Sequence, residues 1–140
     1  MKILEIKTEK RRIGNIGENE AKKFLRRSGY KILDMNYVAA DHEIDIIAED
    51  KEVLAFIEVK TRSKGNENPS EPRPSSAVTK EKMRSIISAA KCYMAIHKTE
   101  KHIRLDVIEV LLSFDEKGKH TAEIKHLKDA FNMNKAYNRQ

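Results

Sequence analysis

Two segments decide the fold of this chain: Glu43-Ile44-Asp45-Ile46-Ile47-Ala48 and Phe56-Ile57-Glu58-Val59-Lys60-Thr61-Arg62. Both are apolar enough to predict β-strands, yet they carry carboxylates and a lysine. Because side chains alternate faces along a strand, Glu58 and Lys60 point to the same side of the sheet. A two-residue hairpin loop at Lys51-Glu52 would then place Asp45 directly opposite Glu58.

This juxtaposition of charges has two interpretations. Two carboxylates about 4 Å apart repel by roughly 4 kcal/mol at a surface-like dielectric, so such a pair normally holds a cation or shares a proton. One interpretation is a solvated sheet face on which Glu58 simply pairs with Lys60. The other is that Asp45 and Glu58 bind a hard divalent ion such as Mg²⁺ or Mn²⁺, while Lys60 orients or activates the attacking water.

Length and composition predict one globular domain, residues 1–140, with charged residues making up 36% of the chain. A single cysteine, Cys92, excludes a disulfide framework and a cysteine-ligated zinc site, which favours the reducing cytoplasm. The first residues lack the apolar core of a signal peptide, and no segment reaches membrane-spanning length, so we expect no membrane partner. The net charge of +6 favours a polyanion such as nucleic acid, although a merely basic surface explains it equally well.

Apolar periodicity and turn residues predict a helix over 14–28, strands over 30–37, 43–49 and 53–61, a helix from Thr79 to about 97, and strands over 103–112 and 121–127. The first three strands form an antiparallel meander whose third strand is central, and the strand–helix–strand unit that follows adds a parallel neighbour. The fold class is therefore α/β, a central mixed sheet in the order α-β-β-β-α-β(-β) with flanking helices. We expect the core at about 14–112, a mobile loop at 62–76, and a peripheral C-terminal hairpin and tail at 113–140.

Further charged residues are candidates for the same site. Glu18 lies at the margin of the first helix's apolar stripe, where it either reaches a neighbouring site or pairs with Lys22 near the helix N-terminus. Arg104 and Asp106 share one strand face and predict an internal ion pair. Basic side chains near the loop and the second helix suit phosphate binding, with exposed solubilising charge as the alternative; they are Arg62, Arg73, Lys80, Lys82 and Arg84.

An acidic residue on one strand and Glu-x-Lys on the next resemble the PD-(D/E)xK nuclease superfamily, with Asp45, Glu58 and Lys60 in the matching positions. The wider pattern over residues 14 to 110 resembles the small bacterial YraN-like family. The residues that carry it are Gly17-Glu18-x-x-Ala21, Leu25, Gly29-Tyr30-x-Ile32-Leu33, Asn36, the two segments quoted first, Ala77-Val78 and Arg104-x-Asp106-Val107-Ile108. The residue before Glu-Ile-Asp is usually glycine in that family and is His42 here.

Members of the YraN-like family are described as predicted endonucleases similar to archaeal Holliday-junction resolvases, in which a helical glutamate also serves the metal site. The resemblance implies a restriction-endonuclease-like fold and a Mg²⁺- or Mn²⁺-dependent DNA endonuclease acting on branched DNA. It implies Glu18, Asp45, Glu58 and Lys60 as catalytic residues, the three acids as metal ligands, and a homodimer, although the sequence shows no exposed apolar patch that predicts one. The alternatives are a non-catalytic nucleic-acid-binding module acting through a partner protein, and an interaction protein with no nucleic-acid role.

Overall fold

In the computed structural model, residues 3–65 and 79–131 are described. The elements are α1 (Ile3–Arg27), β1 (Lys31–Ala39), β2 (His42–Glu49), β3 (Val53–Ser63), α2 (Lys80–Ile96), β4 (His102–Phe114) and β5 (His120–Phe131). The strands form one sheet in the order β1-β2-β3-β4-β5. β3 pairs antiparallel with β2 and parallel with β4, so the sheet is mixed and β3 is central, as predicted. This single α/β domain is consistent with a restriction-endonuclease-like fold.

The sheet is covered on both faces, which is why β3 is almost uniformly apolar. Phe56 and Ile57 are adjacent in β3, point to opposite faces and are both fully buried. Phe56 packs in a cluster with Ile86 and Ile87 of α2, whereas Ile57 packs in a second cluster with Leu25 of α1. A charge placed on this strand therefore lies beside two cores, and only the end of β3 that reaches past them can present it to a ligand.

Helix α1 starts well before the predicted boundary at residue 14. Gly14 does not end it, because one glycine costs an exposed helix only about 1 kcal/mol. The exposed first turns are rich in helix-forming charged residues, and Arg12 Nη2 contacts Glu9 Oε1 at 2.7 Å. At the other end, Ser28 was predicted as the last helical residue but lies just past Arg27; it is exposed, and its hydroxyl donates to the carbonyl of Phe24.

The second helix matches the prediction closely. Thr79 is its N-cap, and the Thr79 hydroxyl accepts the N–H of Lys82 at 3.1 Å. Its buried residues are Ile86, Ile87, Ala89, Ala90 and Tyr93. Met83 and Met94 are partly buried against the same cluster.

The C-terminal strand is longer than the predicted 121–127, because β5 extends from His120 to Phe131. Its Ala122 and Ile124 pack against the cluster on the α1 side, so β5 adds to the core instead of lying outside it. Most of the predicted loop at 62–76 falls outside the described residues. Among the helices of the described ranges, none is both long and apolar enough to cross a membrane.

Candidate active site at the β2–β3 fork

The site lies where β2 and β3 stop pairing. Their ladder runs from Glu49–Leu54 to Ile46–Ile57 and ends there, although β2 begins earlier and β3 continues to Ser63. The loop that sets this register is fixed by Asp50, whose carboxylate accepts the N–H groups of Glu52 and Val53, each at 2.8 Å. We call the opening beyond Ile46–Ile57 the β2–β3 fork.

Asp45 and Glu58 are the first residues beyond the last paired residues, so the predicted register is confirmed. At this point the Asp45 carboxylate replaces the β2 backbone as hydrogen-bond acceptor, since the N–H of Val59 donates to Asp45 Oδ2 at 2.8 Å. The bond fixes the carboxylate across the fork. It also satisfies a β3 backbone donor that has lost its partner strand.

The electrostatic environment of Asp45 disfavours its charge. Burial, followed by the neighbouring charge of Glu58, raises the pKa of Asp45 to about 7, although the Val59 N–H opposes the shift. Glu18 and Glu43 act in the same direction as Glu58. Asp45 can therefore exchange a proton near neutral pH, or become ionised when a cation balances the acidic cluster.

Glu58 is buried, with 6% of its surface exposed, and it is compensated by cations. Lys60 Nζ lies 3.3 Å from Glu58 Oε1, and Lys82 Nζ on α2 lies 3.9 Å from the same oxygen. Lys60 is the nearer cation and lies on the same strand face, as the alternation of β3 predicted. Both lysine side chains keep part of their surface open to solvent, so a phosphate could reach them.

Helix α1 brings Glu18 to the fork because Gly17 allows a close approach. A Cβ on Gly17 would overlap the side-chain atoms of Thr61 on β3, so only glycine fits where the helix crosses the strand. Burial raises the pKa of Glu18, and the charges of Glu43 and Glu58 add to the shift, while a hydrogen bond from Asn36 opposes it. Glu18 thus shares the field of the other acids.

The predicted pair of Arg104 and Asp106 is present, but it lies on the opposite face of the sheet from Glu58. Arg104 Nε donates to Asp106 Oδ1 at 2.9 Å, and His126 Nε2 lies 2.7 Å from Asp106 Oδ2. Burial alone would raise the pKa of Asp106, but hydrogen bonds from His126, Arg104 and the Asp129 N–H hold it below its usual range. This network joins β4 to β5, and its Arg104 also donates to Tyr30, so its role is structural.

Residues 17–110 match the uncharacterised protein family UPF0102. The chain belongs to the UPF0102 family. This confirms the YraN-like resemblance found in the sequence. The match contains Glu18, Asp45, Glu58 and Lys60.

Relatives within UPF0102 cover most of the chain. A UPF0102 protein of Chlorobaculum parvum is 47% identical over 122 residues, 85% of this chain and 91% of its own length. One from Clostridium perfringens is 43% identical over 122 residues, with 86% and 94% covered. One from Clostridium beijerinckii is 40% identical over 123 residues, with 87% and 94% covered.

One site residue, Asn36, helped to carry the YraN-like resemblance, but the sequence-based prediction gave it no place in the site. Asn36 adopts a left-handed backbone conformation, with φ 53°. Its Nδ2 donates to Glu18 Oε1 at 2.8 Å and to Glu43 Oε1 at 3.1 Å, which ties two acids together beside Asp45. The available signal was an asparagine within a strand, because asparagine is disfavoured there and tolerates the left-handed region.

The predicted phosphate-binding residues are only partly gathered at the site. Lys82 reaches Glu58, as described above, and Arg62 is half-buried on β3 two residues beyond Lys60. Lys80 and Arg84 are exposed on the first turns of α2. Arg73 lies outside the described residues. His42, which stands where the YraN-like family usually has glycine, is half-buried at the start of β2.

The donor set at the fork fits a hard divalent cation. Mg²⁺ is typically held by one or two carboxylates together with water and substrate phosphate, and Asp45 and Glu58 supply two carboxylates at one opening. Within residues 3–65 and 79–131, no three His, Cys, Asp or Glu side chains are grouped closely enough to hold an ion alone. The predicted role of Glu18 as a third ligand stays a prediction.

Proposed function

We propose that this chain is a Mg²⁺- or Mn²⁺-dependent endonuclease that hydrolyses phosphodiester bonds of DNA, with branched, Holliday-junction-like DNA as its substrate. The observation that supports this is the meeting of Asp45 and Glu58 at the β2–β3 fork, with Lys60 Nζ 3.3 Å from Glu58. Two acids and a lysine, held at an opening between buried strands, are the groups that metal-assisted phosphodiester hydrolysis requires.

Each side chain of the site has a distinct role in this proposal. Asp45 and Glu58 hold the ion, and the bond from Val59 N–H keeps the Asp45 carboxylate directed across the fork. A bound Mg²⁺ would lower the pKa of a coordinated water and neutralise charge on the phosphate. Lys60 places a positive group beside the scissile phosphate, where negative charge increases in the transition state. Glu18 completes the acidic site, positioned by Asn36.

The surface around the fork suits a nucleic-acid backbone. Arg62 continues the charged face of β3, and Lys80, Lys82 and Arg84 lie on the first turns of α2, where backbone N–H groups also favour phosphate. We propose these four residues as phosphate contacts, together with Arg73. The cytoplasm is the proposed location, with DNA as the partner.

The test is cleavage of labelled linear, single-stranded and four-way DNA by the purified chain, with Mn²⁺, Mg²⁺ or EDTA. We expect cleavage of the four-way substrate only with a divalent ion. Glu58→Ala, Asp45→Asn and Lys60→Ala should each lower the rate at least about 100-fold. DNA affinity should survive in all three, because phosphate contacts elsewhere dominate binding.

Matched controls lie at the other end of the same strands. Glu52→Ala and Lys51→Ala remove an exposed carboxylate and an exposed ammonium from the β2–β3 turn, and both should cleave at the unaltered rate. Full activity in Glu58→Ala would show that the fork is not the active site. Activity that is equal in EDTA and Mn²⁺ would exclude metal dependence.

A second candidate function is a nucleic-acid-binding module without catalysis. The observation that favours it is the compensation of Glu58 by Lys60 and Lys82, which neutralises this acid without a metal ion. A module should bind DNA with a steep salt dependence and cleave nothing at any metal concentration. Lys82→Ala should then reduce the slope of log affinity against log salt by about 1. Absence of both cleavage and DNA binding at low salt would instead support an interaction protein.

A further inference from the structure

The outer edge of β5 has no partner strand within residues 3–65 and 79–131. Residues 120–127 pair regularly with β4, and the register irregularity of this pair occurs only beyond Leu127, where Val107 gives way to Leu105. The segment contains no proline, so its outward backbone N–H and C=O groups are available as a template for another strand.

The two edge strands differ in where they are irregular. Each has one register shift and one non-glycine residue with a left-handed backbone; in β1 these are at Ile32–Asp34 and Asn36, within its pairing with β2, whereas in β5 they lie beyond Leu127, at Asp129. Bulges and local twists of this kind keep an edge strand from pairing with another chain. The regular stretch of edge is therefore residues 120–127 of β5, whereas β1 is irregular along its middle.

We propose that β5 pairs antiparallel with β5 of a second copy of this chain, about a two-fold axis at Ile124. In this register Glu123 lies opposite Lys125 of the second copy, and the symmetry forms this pair twice. A register centred on Glu123 or on Lys125 would place like charges opposite each other, which destabilises a strand pair. Of these three registers, the charges favour the one centred on Ile124, and in it β5 is complementary to its own copy.

Burial on the two faces of β5 agrees with this arrangement. Glu123 and Lys125 are exposed on one face, where they border an open groove of about 430 Å³ shared with Arg62 and Glu109. Ile124 points to the other face, where it is only partly buried against the α1-side core. Pairing about Ile124 would set this side chain against its own copy and cover the apolar surface that remains.

The two-fold axis would be perpendicular to a continuous sheet made from both copies. The two β2–β3 forks would then lie on the same side of that sheet. Their β3 strands would be five strand spacings apart, about 24 Å. The use of both forks on one nucleic acid rests on the proposed function, whereas the dimer itself does not.

The experiment is sedimentation velocity on the full chain in EDTA, without nucleic acid, from micromolar to submillimolar concentration. We expect a reversible dimer of twice the 16.2 kDa chain mass. Glu123→Lys and Lys125→Glu should each weaken the dimer at least about tenfold, because each change opposes like charges in both symmetric pairs. Circular dichroism and urea unfolding of each variant confirm that it folds.

Two rescue measurements separate this interface from any other. The double variant Glu123→Lys with Lys125→Glu should dimerise like the original chain. A mixture of the two single variants should form a heterodimer, since every facing pair is then of unlike charge. Glu116→Lys, an exposed change in the β4–β5 turn, serves as the control and should leave the dimer intact.

A monomer at every concentration would overturn the proposal, whether the edge is covered by another protein or by nothing. A dimer that ignores both single charge reversals would place the interface elsewhere and would equally overturn it. Because neither metal nor DNA is present, failure here leaves the cleavage test of the fork unaffected. A chain that stays monomeric at every concentration and still cleaves DNA would refute the dimer alone.

Discussion

Replacing Asp45 by asparagine should stabilise the protein at neutral pH while it removes the proposed activity. The substitution keeps an oxygen that can accept the Val59 N–H, and it deletes a partly buried charge next to Glu58. Active-site acids often lower stability because function places them where their charge is poorly solvated. Because Asp45 gains or loses its charge with pH, the loss of stability that this charge causes can be measured by comparing unfolding at two pH values.

The size of the effect follows from the pKa of Asp45, which is about 7 in the folded chain against an ordinary 3.8. At about 1.4 kcal/mol per pH unit, full ionisation of Asp45 costs the folded state roughly 4 kcal/mol. Below about pH 4, Asp45 is protonated in both folded and unfolded chains and the cost is absent. Between about pH 4 and 7 only the folded state keeps the proton, so the free energy of unfolding falls as pH rises.

The assay is urea unfolding of the original chain and Asp45→Asn at pH 4 and pH 8, in EDTA so that no divalent ion binds. We expect similar stabilities at pH 4 and an advantage of about 2–4 kcal/mol for Asp45→Asn at pH 8, the lower value allowing for relaxation around the fork. Glu52→Gln, an exposed carboxylate on the same hairpin, should show no such pH-dependent difference. An advantage of equal size at both pH values, or a less stable Asp45→Asn at pH 8, would refute the reasoning.

Other substitutions test the framework that holds the site, with urea unfolding as the common measurement. Asp106→Asn should destabilise by about 2–4 kcal/mol because it leaves Arg104, a partly buried charge, without its counterion; a loss below about 1 kcal/mol would contradict this. Gly17→Ala should destabilise by roughly 1–3 kcal/mol through overlap with Thr61, and adding Thr61→Ala should restore part of the loss. Thr79→Ala should cost about 1 kcal/mol by removing the α2 cap, and an unchanged midpoint would show that the cap is dispensable.

Much of the fold could be predicted because, in the central strands, the turn residues and apolar pattern of the sequence favour the same pairing that packing requires. The short loop held by Asp50 fixes the β2–β3 register, so the position of Asp45 opposite Glu58 followed from counting residues. The start of α1 could not be found in the same way. Its first turns are exposed, so burial periodicity gives no signal there, and helix propensity alone carries the helix past Gly14.

The candidate site was predictable in its residues but not in its shape. Alternation along β3 places Glu58 and Lys60 on one face, which the sequence shows directly. The pairing of β2 with β3 stops at Ile46–Ile57 although both strands continue, and no local pattern in the sequence shows where such a ladder ends. The bridging role of Asn36 likewise depends on a left-handed backbone and on a carboxylate from α1.

The parallel pairing of β3 with β4 has a consequence for how the molecule acquires its structure. Val53 pairs with His102 and Ser63 with Leu112, so each bridge joins residues separated by the whole crossover through α2. Conformational search over such a distance slows folding, whereas the β1–β2–β3 hairpins need only local contacts. We therefore expect the pairing of β4 with β3 to be the rate-limiting step of refolding.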